Sequence, residues 1–262
     1  MNIPNLNDQV IMITGITGQI GQKLVSTALN NGAKVLGVDL SIDNMEKTAN
    51  DLNWNADSIQ MNEVDIRINS EVKTAFEIAV NRFGYVSSLI NNAGVSIFTP
   101  WNDRSEEELD FVTDVNLKGT FNCMKIFLQH CIASKNKGSI VNVASHYGLI
   151  SPDPKIYTDC DRRSPEIYGA TKAGVIQMTK YFSVNAIEDG ADVRVNAVAP
   201  GGIRNPWDPQ GEDFQRLYSD RCPMGRLAEI EEIIGPIFFL LSQDASYING
   251  HTLVVDGGMT AW

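Results

Sequence analysis

Cysteine and histidine are scarce in this 262-residue chain, which contains four cysteines and three histidines. The cysteines form no C-x-x-C pair, and their spacing to the histidines is not that of zinc ligands. They are Cys123, Cys131, Cys160 and Cys222. We therefore expect reduced thiols and no bound metal.

Long apolar runs and an excess of basic residues are also missing. No apolar stretch approaches the ~20 residues of a transmembrane helix, and the N-terminus lacks the basic-then-apolar layout of a secretory signal peptide. With 21 Lys and Arg against 32 Asp and Glu, the net charge is -11, which disfavours binding to nucleic acid or to an anionic membrane. We expect a cytoplasmic protein whose partner is a small-molecule substrate, with no nucleic-acid or membrane partner.

The chain does have a regular alternation of short apolar runs and amphipathic stretches. The apolar runs predict strands at 10–13, 34–39, 59–64, 86–90, 139–143, 193–198 and 252–255. The stretches between them predict helices at 19–31, 43–52, 70–83, 105–133, 165–189 and 229–241. Continuous apolar strands separated by helices are typical of a parallel sheet covered on both faces. The sequence therefore predicts an α/β fold with one Rossmann-type domain over 1–262, a doubly wound parallel sheet of about seven strands with helices on both faces.

Two long segments, 146–164 and 201–224, interrupt the alternation and are predicted to be irregular. Loops of that length in a compact domain are usually functional. We expect them to form the lid or wall of a substrate site.

A glycine-rich turn joins the first predicted strand to the first predicted helix. Gly15, Gly18 and Gly21 follow the spacing Gly-x-x-Gly-x-x-Gly, and glycines at this place let backbone amides and a helix N-terminus approach a pyrophosphate. Asp39 ends the second strand, where an acid accepts hydrogen bonds from the adenosine ribose hydroxyls and repels a 2′-phosphate. No Lys or Arg is adjacent to Asp39 in the sequence or within the glycine turn. The pattern favours NAD as the cofactor over NADP.

Tyr168 and Lys172 are four residues apart at the start of a predicted helix, so their side chains share one face. A free phenol has a pKa of about 10, and a fixed ammonium nearby lowers that pKa by stabilising the phenolate. We expect Tyr168 to exchange a proton with an alcohol or carbonyl oxygen. The fourth residue after Tyr157 is Asp161, so at this spacing the sequence offers a cation to Tyr168 and an acid to Tyr157.

Several motifs in a fixed order resemble those of the short-chain dehydrogenase/reductase family over nearly the whole chain. They are Gly15, Gly18 and Gly21, Asn91-Asn92-Ala93-Gly94, Asn116, Ser145, Tyr168-x-x-x-Lys172 and Pro200-Gly201. The resemblance implies an oxidoreductase that transfers hydride between a nicotinamide and a secondary alcohol or ketone. It also implies the catalytic residues, which are the acid/base Tyr168, the substrate-oxygen ligand Ser145, the ribose-binding Lys172 and the proton-relay residue Asn116.

The same resemblance implies the other cofactor contacts. The pyrophosphate turn supplies Gly15, Thr17, Gly18, Gln19 and Ile20. The adenosine side meets Asp39, Asp65, Asn92, Ala93 and Gly94, and the nicotinamide side meets Tyr168, Lys172, Pro200, Gly201 and Ile203.

The chain departs from the family pattern at three places. Its glycine spacing is that of the larger, extended members, which leaves the pyrophosphate contacts of Thr17, Gln19 and Ile20 open. The interval from Ser145 to Tyr168 is longer than usual in the family, so Ser151 and Ser164 are alternatives to Ser145. Asn205 stands where a threonine often contacts the carboxamide of the nicotinamide.

The tail from Gly250 and the insertion before Tyr168 are most similar to bacterial short-chain oxidoreductases of flagellin-modification and nonulosonic-acid pathways. That resemblance implies a sugar or nucleotide-sugar hydroxyl as the oxidised group. Aromatic and polar side chains in the two long segments suit a sugar, and arginines suit a phosphate or carboxylate. Our candidate substrate contacts are Ser145, His146 and Arg204.

Two alternatives stay open at this point. A 3-ketoacyl-carrier reductase would prefer NADP and would offer basic residues to its acidic carrier, and a dinucleotide-sensing protein would keep the fold without catalysis. The family further implies a homo-oligomer, either a dimer through the helices at 105–133 and 165–188 or a tetramer through the C-terminal strand.

Overall fold

The computed structural model describes residues 3, 5–159, 162–207 and 209–262. Within these residues, seven parallel strands form one sheet in the order β3-β2-β1-β4-β5-β6-β7. The strands are β1 (Val10–Thr14), β2 (Lys34–Asp39), β3 (Ile59–Glu63), β4 (Ser88–Asn91), β5 (Gly138–Val143), β6 (Val193–Pro200) and β7 (Thr252–Val255). The predicted doubly wound parallel sheet is confirmed.

Helices cover both faces of this sheet. They are α1 (Gln19–Asn30), α2 (Ile42–Asp51), α3 (Asn69–Phe83), α4 (Glu106–Thr113), α5 (Thr120–Ser134), α6 (Glu166–Glu188), α7 (Glu212–Arg221) and α8 (Ile230–Leu241). Residues of α1 and α8 pack in the core on one face, and residues of α3 and α5 pack in the core on the other.

The apolar strands form the centre of the molecule because their alternate residues face two different cores. In β1, Val10 and Met12 belong to the core with α3 and α5, whereas Ile11 and Ile13 belong to the core with α1 and α8. Burying one such side chain contributes about 1.5–3 kcal/mol to the free energy of unfolding. A strand with apolar residues at every position is therefore held from both sides.

Two predicted elements differ from the structure. The helix expected at 105–133 is interrupted by a π-helical segment, Asp114–Gly119, between α4 and α5. The segment 201–224 is not irregular throughout, because it contains α7, which packs Phe214 and Tyr218 into a small core of its own. The other long segment, 146–164, holds two short 3-10 turns, His146–Gly148 and Pro154–Ile156.

The described residues include neither a membrane-spanning helix nor a cluster of metal ligands. In the part of the chain that the structure describes, none of the helices combines the length and the hydropathy needed to cross a membrane. The described residues also contain no group of three or more His, Cys, Asp and Glu side chains that could hold a metal ion.

Candidate active site

The carboxyl ends of the strands form a cleft with two adjoining cavities. The strand order changes direction between β1 and β4, which is where ligands bind in open α/β sheets. The glycine-loop cavity, lined by the turn after β1, has a volume of about 410 Å³. The tyrosine cavity, lined by Tyr168, has a volume of about 520 Å³. Gln19, Gly94 and Val95 line both cavities, so the two form one continuous cleft.

The glycine turn is held by close contacts between main-chain atoms. Gly15 has a φ of +69°, and a Cβ atom there would lie 2.9 Å from the Cα of Ala93. A Cβ on Gly21 would lie 2.0 Å from the carbonyl oxygen of Gly15. Gly18 caps α1 with extended backbone and no side-chain cap, so the first N–H groups of this helix point at the cavity as an anion site does.

Asp39 lies at the end of β2 and lines the glycine-loop cavity. Its Oδ2 accepts hydrogen bonds from the backbone N and the Oγ1 of Thr17, at 2.9 and 2.8 Å, and its Oδ1 accepts one from the backbone N of Leu40 at 2.8 Å. The carboxylate therefore ties the second strand to the glycine turn, where the ribose of a dinucleotide would meet it.

Arg67 is a cavity residue that the sequence reasoning missed. Its guanidinium donates to both oxygens of Asp65, at 2.6 to 2.9 Å, and lies 5.1 Å from the ring centre of Phe111. The hydrogen bond from Arg67 lowers the pKa of Asp65. The position of Arg67, two residues after an acid at the end of a strand, was the available signal. The expected adenine contact Asp65 thus lines the cavity as half of an ion pair.

The Asn-Asn-Ala-Gly motif after β4 joins this strand to the glycine turn. The Oγ1 of Thr14 accepts hydrogen bonds from the backbone N of Asn92 and of Ala93, at 3.0 and 2.9 Å. The side-chain amide of Asn92 donates to the carbonyls of Thr14 and Gly15. Asn92 and Ala93 line the glycine-loop cavity together with Gly94, and these contacts fix its wall.

Ser145 and Tyr168 meet in the tyrosine cavity. Ser145 is buried at the end of β5, and its Oγ accepts a hydrogen bond from the backbone N of Tyr147 at 3.1 Å. Tyr168, in the first turn of α6, lines the same cavity. Burial raises the pKa of the Tyr168 phenol, and a hydrogen-bonding interaction with Ser145 opposes that shift.

Lys172 lies beside Tyr168 but contacts it differently from what we expected. Its Nζ donates to the carbonyl oxygen of Val143 at 2.8 Å and lies 5.6 Å from the centre of the Tyr168 ring. Burial lowers the pKa of Lys172 to about 8. The expectation that Lys172 lowers the pKa of Tyr168 is corrected here, because the ammonium lies over the ring and the desolvation of the phenol prevails.

Asn116 lies in the π-helical segment, and its side chain is fully engaged. It exchanges two hydrogen bonds with the backbone of Val95, at 2.9 and 3.0 Å, and donates to the Oγ1 of Thr171 at 3.0 Å. Gly94 brings Asn116 and Lys172 together, since a Cβ there would lie 3.4 Å from the Asn116 Oδ1 and 3.2 Å from the Lys172 Nζ. The structure thus brings the four predicted catalytic residues to one place.

His146 lines the tyrosine cavity and has one nitrogen without a partner. Its Nδ1 lies 2.9 Å from the carbonyl oxygen of Pro200, which requires a hydrogen on Nδ1 and leaves Nε2 as an acceptor. Nε2 is buried, and no described residue donates to it. Burial lowers the pKa of His146 against the opposing effects of Pro200 and Asp256. Ser96, which the sequence reasoning missed, also lines this cavity with a buried, unpartnered Oγ.

The remaining predicted residues are distributed unevenly. Gly201, Asn205 and the alternative Ser164 line the tyrosine cavity. Ile203 pairs with Ala228 and packs against a core. Arg204 does not reach the tyrosine cavity with its side chain, which is 59% exposed and lies 3.4 Å from Glu229.

The tyrosine cavity also has lining residues that were not singled out in the sequence, although the segment 201–224, which holds three of them, was expected to form a wall of the site. Phe98, Gln210, Phe214 and Tyr218 line it. Phe98 follows the Asn-Asn-Ala-Gly motif closely, and the helical spacing of Phe214 and Tyr218 was a signal for α7. Cys160 and Asp208, which belong to the two long segments, lie outside the described residues.

Comparison with known proteins gives a consistent result. The model of a family described as enoyl-(acyl carrier protein) reductase matches residues 15–260. A 3-oxoacyl-[acyl-carrier-protein] reductase of Thermotoga maritima is 34% identical over 258 residues, which covers 97% of this chain and 98% of the relative.

Solved structures agree with this result. A short chain dehydrogenase from Leptospira borgpetersenii with bound NAD+ has a TM-score of 0.86 and 35% identity, covering 99% of this chain and 97% of that chain. A gluconate 5-dehydrogenase from Burkholderia cenocepacia, in complex with NADP and tartrate, has a TM-score of 0.85 and 26% identity, with 98% and 97% coverage.

Proposed function

The chain belongs to the short-chain dehydrogenase/reductase family, and from that premise we propose that it is an NAD-dependent oxidoreductase of a sugar or nucleotide-sugar derivative. Members of the family bind a nicotinamide cofactor and act on CH–OH groups. The observation that carries the proposal is the convergence of Ser145, Tyr168, Lys172 and Asn116 beside the glycine-loop cavity.

The proposed preference for NAD rests on Asp39. Its carboxylate is a hydrogen-bond acceptor at the ribose end of the glycine-loop cavity and would repel a 2′-phosphate. Arg67 is a cation in this cavity, but it is already paired with Asp65. A phosphate there would therefore face one unpaired acid and a guanidinium that is already engaged.

The proton step is assigned to the side chains of this chain. A bound nicotinamide supplies or accepts the hydride. Ser145 holds the substrate oxygen, and Tyr168 exchanges a proton with it. Because burial raises its pKa, the Tyr168 phenol keeps its proton at neutral pH and donates it to a ketone. Alcohol oxidation needs the phenol to lose that proton, so its rate should rise with pH.

The proposed sugar class is supported by the lining of the tyrosine cavity. His146 Nε2 and Ser96 Oγ are buried polar atoms that no described residue satisfies, and such atoms are costly unless a ligand satisfies them. A substrate with several hydroxyl groups would donate to His146 and bond to Ser96, which a simple acyl chain cannot do. The likeness to the flagellin-modification subgroup, a dimer or tetramer, and a cytoplasmic location all stay predictions.

A 3-ketoacyl-carrier reductase is the second candidate, favoured by the Thermotoga maritima relative and by the description of the matching family. The two candidates predict different substrates and cofactors. NADH formation from a panel of sugars and nucleotide sugars supports the first, and NADPH-dependent reduction of acetoacetyl-CoA supports the second. Tight NAD binding without turnover of any compound would favour a dinucleotide sensor.

Tyr168→Phe tests the chemistry common to both enzyme candidates. We expect kcat to fall by at least about 100-fold, the usual contribution of a general acid, with unchanged NADH affinity. Tyr157→Phe is the matched control, since Tyr157 also lines the tyrosine cavity and bonds the hydroxyl of Tyr147. Equal rates for the two variants would contradict the assignment of Tyr168.

A further inference from the structure

A third cavity opens beside the tyrosine cavity. It has a volume of about 390 Å³ and shares Phe98 and Ser164 with the tyrosine cavity. We call it the tryptophan cavity after Trp101, which lines it. Each of the two cavities alone has the volume of a small-molecule site, ~300–1,000 Å³. A single sugar ring at Tyr168 would leave the tryptophan cavity unfilled.

The loop that carries Trp101 is held in place by polar contacts of the buried Arg104 side chain. The side chain of Arg104 is only 3% exposed, pairs with Glu166 and donates to the carbonyls of Ile97 and Thr99. Thr99 in turn donates to Glu108, which belongs to the capping box of α4. The loop that presents Trp101 is thus bonded both to α4 and to the start of α6.

Two kinds of side chain at this cavity are left exposed in the part of the chain that the structure describes. The Trp101 side chain is 76% exposed and Phe98 is 41% exposed, although both are large aromatic residues. Arg163 also lines this cavity and is exposed, and no described carboxylate pairs with it. Glu166, the acid among the lining residues of this cavity, is already paired with Arg104.

We propose that the tryptophan cavity binds the nucleotide part of the substrate whose sugar part reacts at Tyr168. A flat base stacks on an exposed indole, and a phosphate pairs with an unpaired guanidinium. This inference rests on the proposed function and selects nucleotide-linked sugars over free sugars. The shared Phe98 and Ser164 make the two binding places continuous.

The experiment measures the binding of UDP and of uridine by calorimetry to protein saturated with NADH, which keeps the glycine-loop cavity filled. Saturable UDP binding is expected for the wild type. Trp101→Ala should weaken both ligands about fivefold or more, the usual effect of losing one base stack. Arg163→Gln should weaken UDP by a similar factor and leave uridine unchanged, since uridine has no phosphate.

Matched controls are Trp262→Ala and Arg216→Gln, because both residues are exposed and lie outside the three cavities. They should leave both affinities unchanged. The proposal is overturned if the wild type shows no saturable UDP binding, if Trp101→Ala binds UDP as the wild type does, or if coenzyme A binds and UDP does not.

Tyr168→Phe separates this proposal from the proposed function. The variant should bind UDP like the wild type, because Tyr168 does not line the tryptophan cavity. Normal UDP binding together with normal turnover in this variant would leave the nucleotide subsite standing and remove the assigned chemistry. If Tyr168→Phe loses turnover and the wild-type protein does not bind UDP, the assigned chemistry stands and the nucleotide subsite is removed.

Discussion

The two halves of the cleft are built by different parts of the chain. The glycine-loop cavity is made by strand ends and tight turns, and contacts to main-chain atoms determine its shape, such as that of Gly15 with Ala93 and that of the Asn92 side chain with the Gly15 carbonyl. The tyrosine cavity is made by side chains from segments far apart in sequence, including Phe98 in a loop, His146 in a 3-10 turn and Phe214 in α7. The first half depends on backbone positions that few residues can occupy, whereas the second depends on which side chains happen to meet.

This difference explains what each half can do. A backbone cradle suits a ligand that stays the same, as a dinucleotide does across the family. Side chains on loops can change without disturbing the sheet, and they suit a substrate that differs from one relative to the next. Substitutions should therefore act on folding in the first half and on substrate selection in the second.

The largest effect is expected for a methyl group in the glycine turn. Gly21→Ala places a Cβ 2.0 Å from the Gly15 oxygen and should lower the free energy of unfolding by about 3 kcal/mol, as overpacking does. Gly18→Ala is the control, because its nearest atom would be 3.6 Å away and its φ is -72°. Urea denaturation measures both. Equal losses of unfolding free energy in the two variants would contradict the view that close main-chain packing determines the glycine-loop half.

Lys172, where the two halves meet, should make stability depend on pH. The pKa of a lysine in the unfolded chain is about 10.4, and burial lowers that of Lys172 to about 8. Between these values the unfolded chain binds more protons, so stability rises with pH. From pH ~7.5 to ~9.5 the wild type should gain about 2 kcal/mol relative to Lys172→Met.

Urea denaturation at both pH values checks this expectation. Lys180→Met is the control, since Lys180 is an exposed lysine of the same helix and its ammonium stays in water. If the difference in unfolding free energy between the wild type and Lys172→Met is the same at both pH values, the Lys172 ammonium is not buried as described.

Asp39→Ala tests whether the glycine-loop half of the cleft selects NAD over NADP. Removing an ionised acceptor should lower kcat/KM for NAD about tenfold, the lower end of the range for charged hydrogen bonds. Activity with NADP should stay or rise, because the repulsion is gone. Steady-state kinetics with both cofactors measures the ratio, and Asp43→Ala, which changes an exposed acid of α2, should leave it unchanged. An unaltered ratio in Asp39→Ala would contradict the NAD preference.

The smallest effect is expected for Arg204→Gln. The side chain forms an exposed ion pair with Glu229 outside the cavity, and such pairs contribute little. We expect kcat/KM to change less than about threefold, an effect that corresponds to well under 1 kcal/mol. His146→Ala should change it more, because Nε2 then no longer accepts from the substrate. A larger change in kcat/KM for Arg204→Gln than for His146→Ala would indicate that Arg204 contacts the substrate.

Much of the fold could be predicted from the sequence because several strands, β1 above all, contain continuous apolar runs. The strands β1 and β5 are buried along almost their whole length, and short apolar runs bounded by turn residues are typical of strands in a parallel sheet. The helix α7 was missed because it is mostly polar, and its Phe214 and Tyr218 pack in a small core beside the tyrosine cavity. The π-helical segment could not be predicted, since it depends on the contacts of Asn116 with Val95 and Thr171.

The candidate site divides in the same way. Gly15, Asp39 and Asn92 were predictable because their roles follow from being at strand ends. The contact between Arg67 and Asp65, the free nitrogen of His146 and the exposed face of Trp101 depend on side-chain directions that only tertiary packing decides. The orientation of Lys172 over the Tyr168 ring is of this second kind as well.

The π-helical segment Asp114–Gly119 has a consequence for the long helical arm that contains it. A π-helical turn closes i→i+5 hydrogen bonds and so holds about one residue more than an α-helical turn. Deleting a single residue from the segment would let it close as ordinary α-helix, and Phe127 would stay buried in the core. A deletion within α5 ahead of Phe127 would instead rotate this side chain by about 100° and expose it. The arm therefore tolerates a one-residue deletion in the π-helical segment better than one in α5.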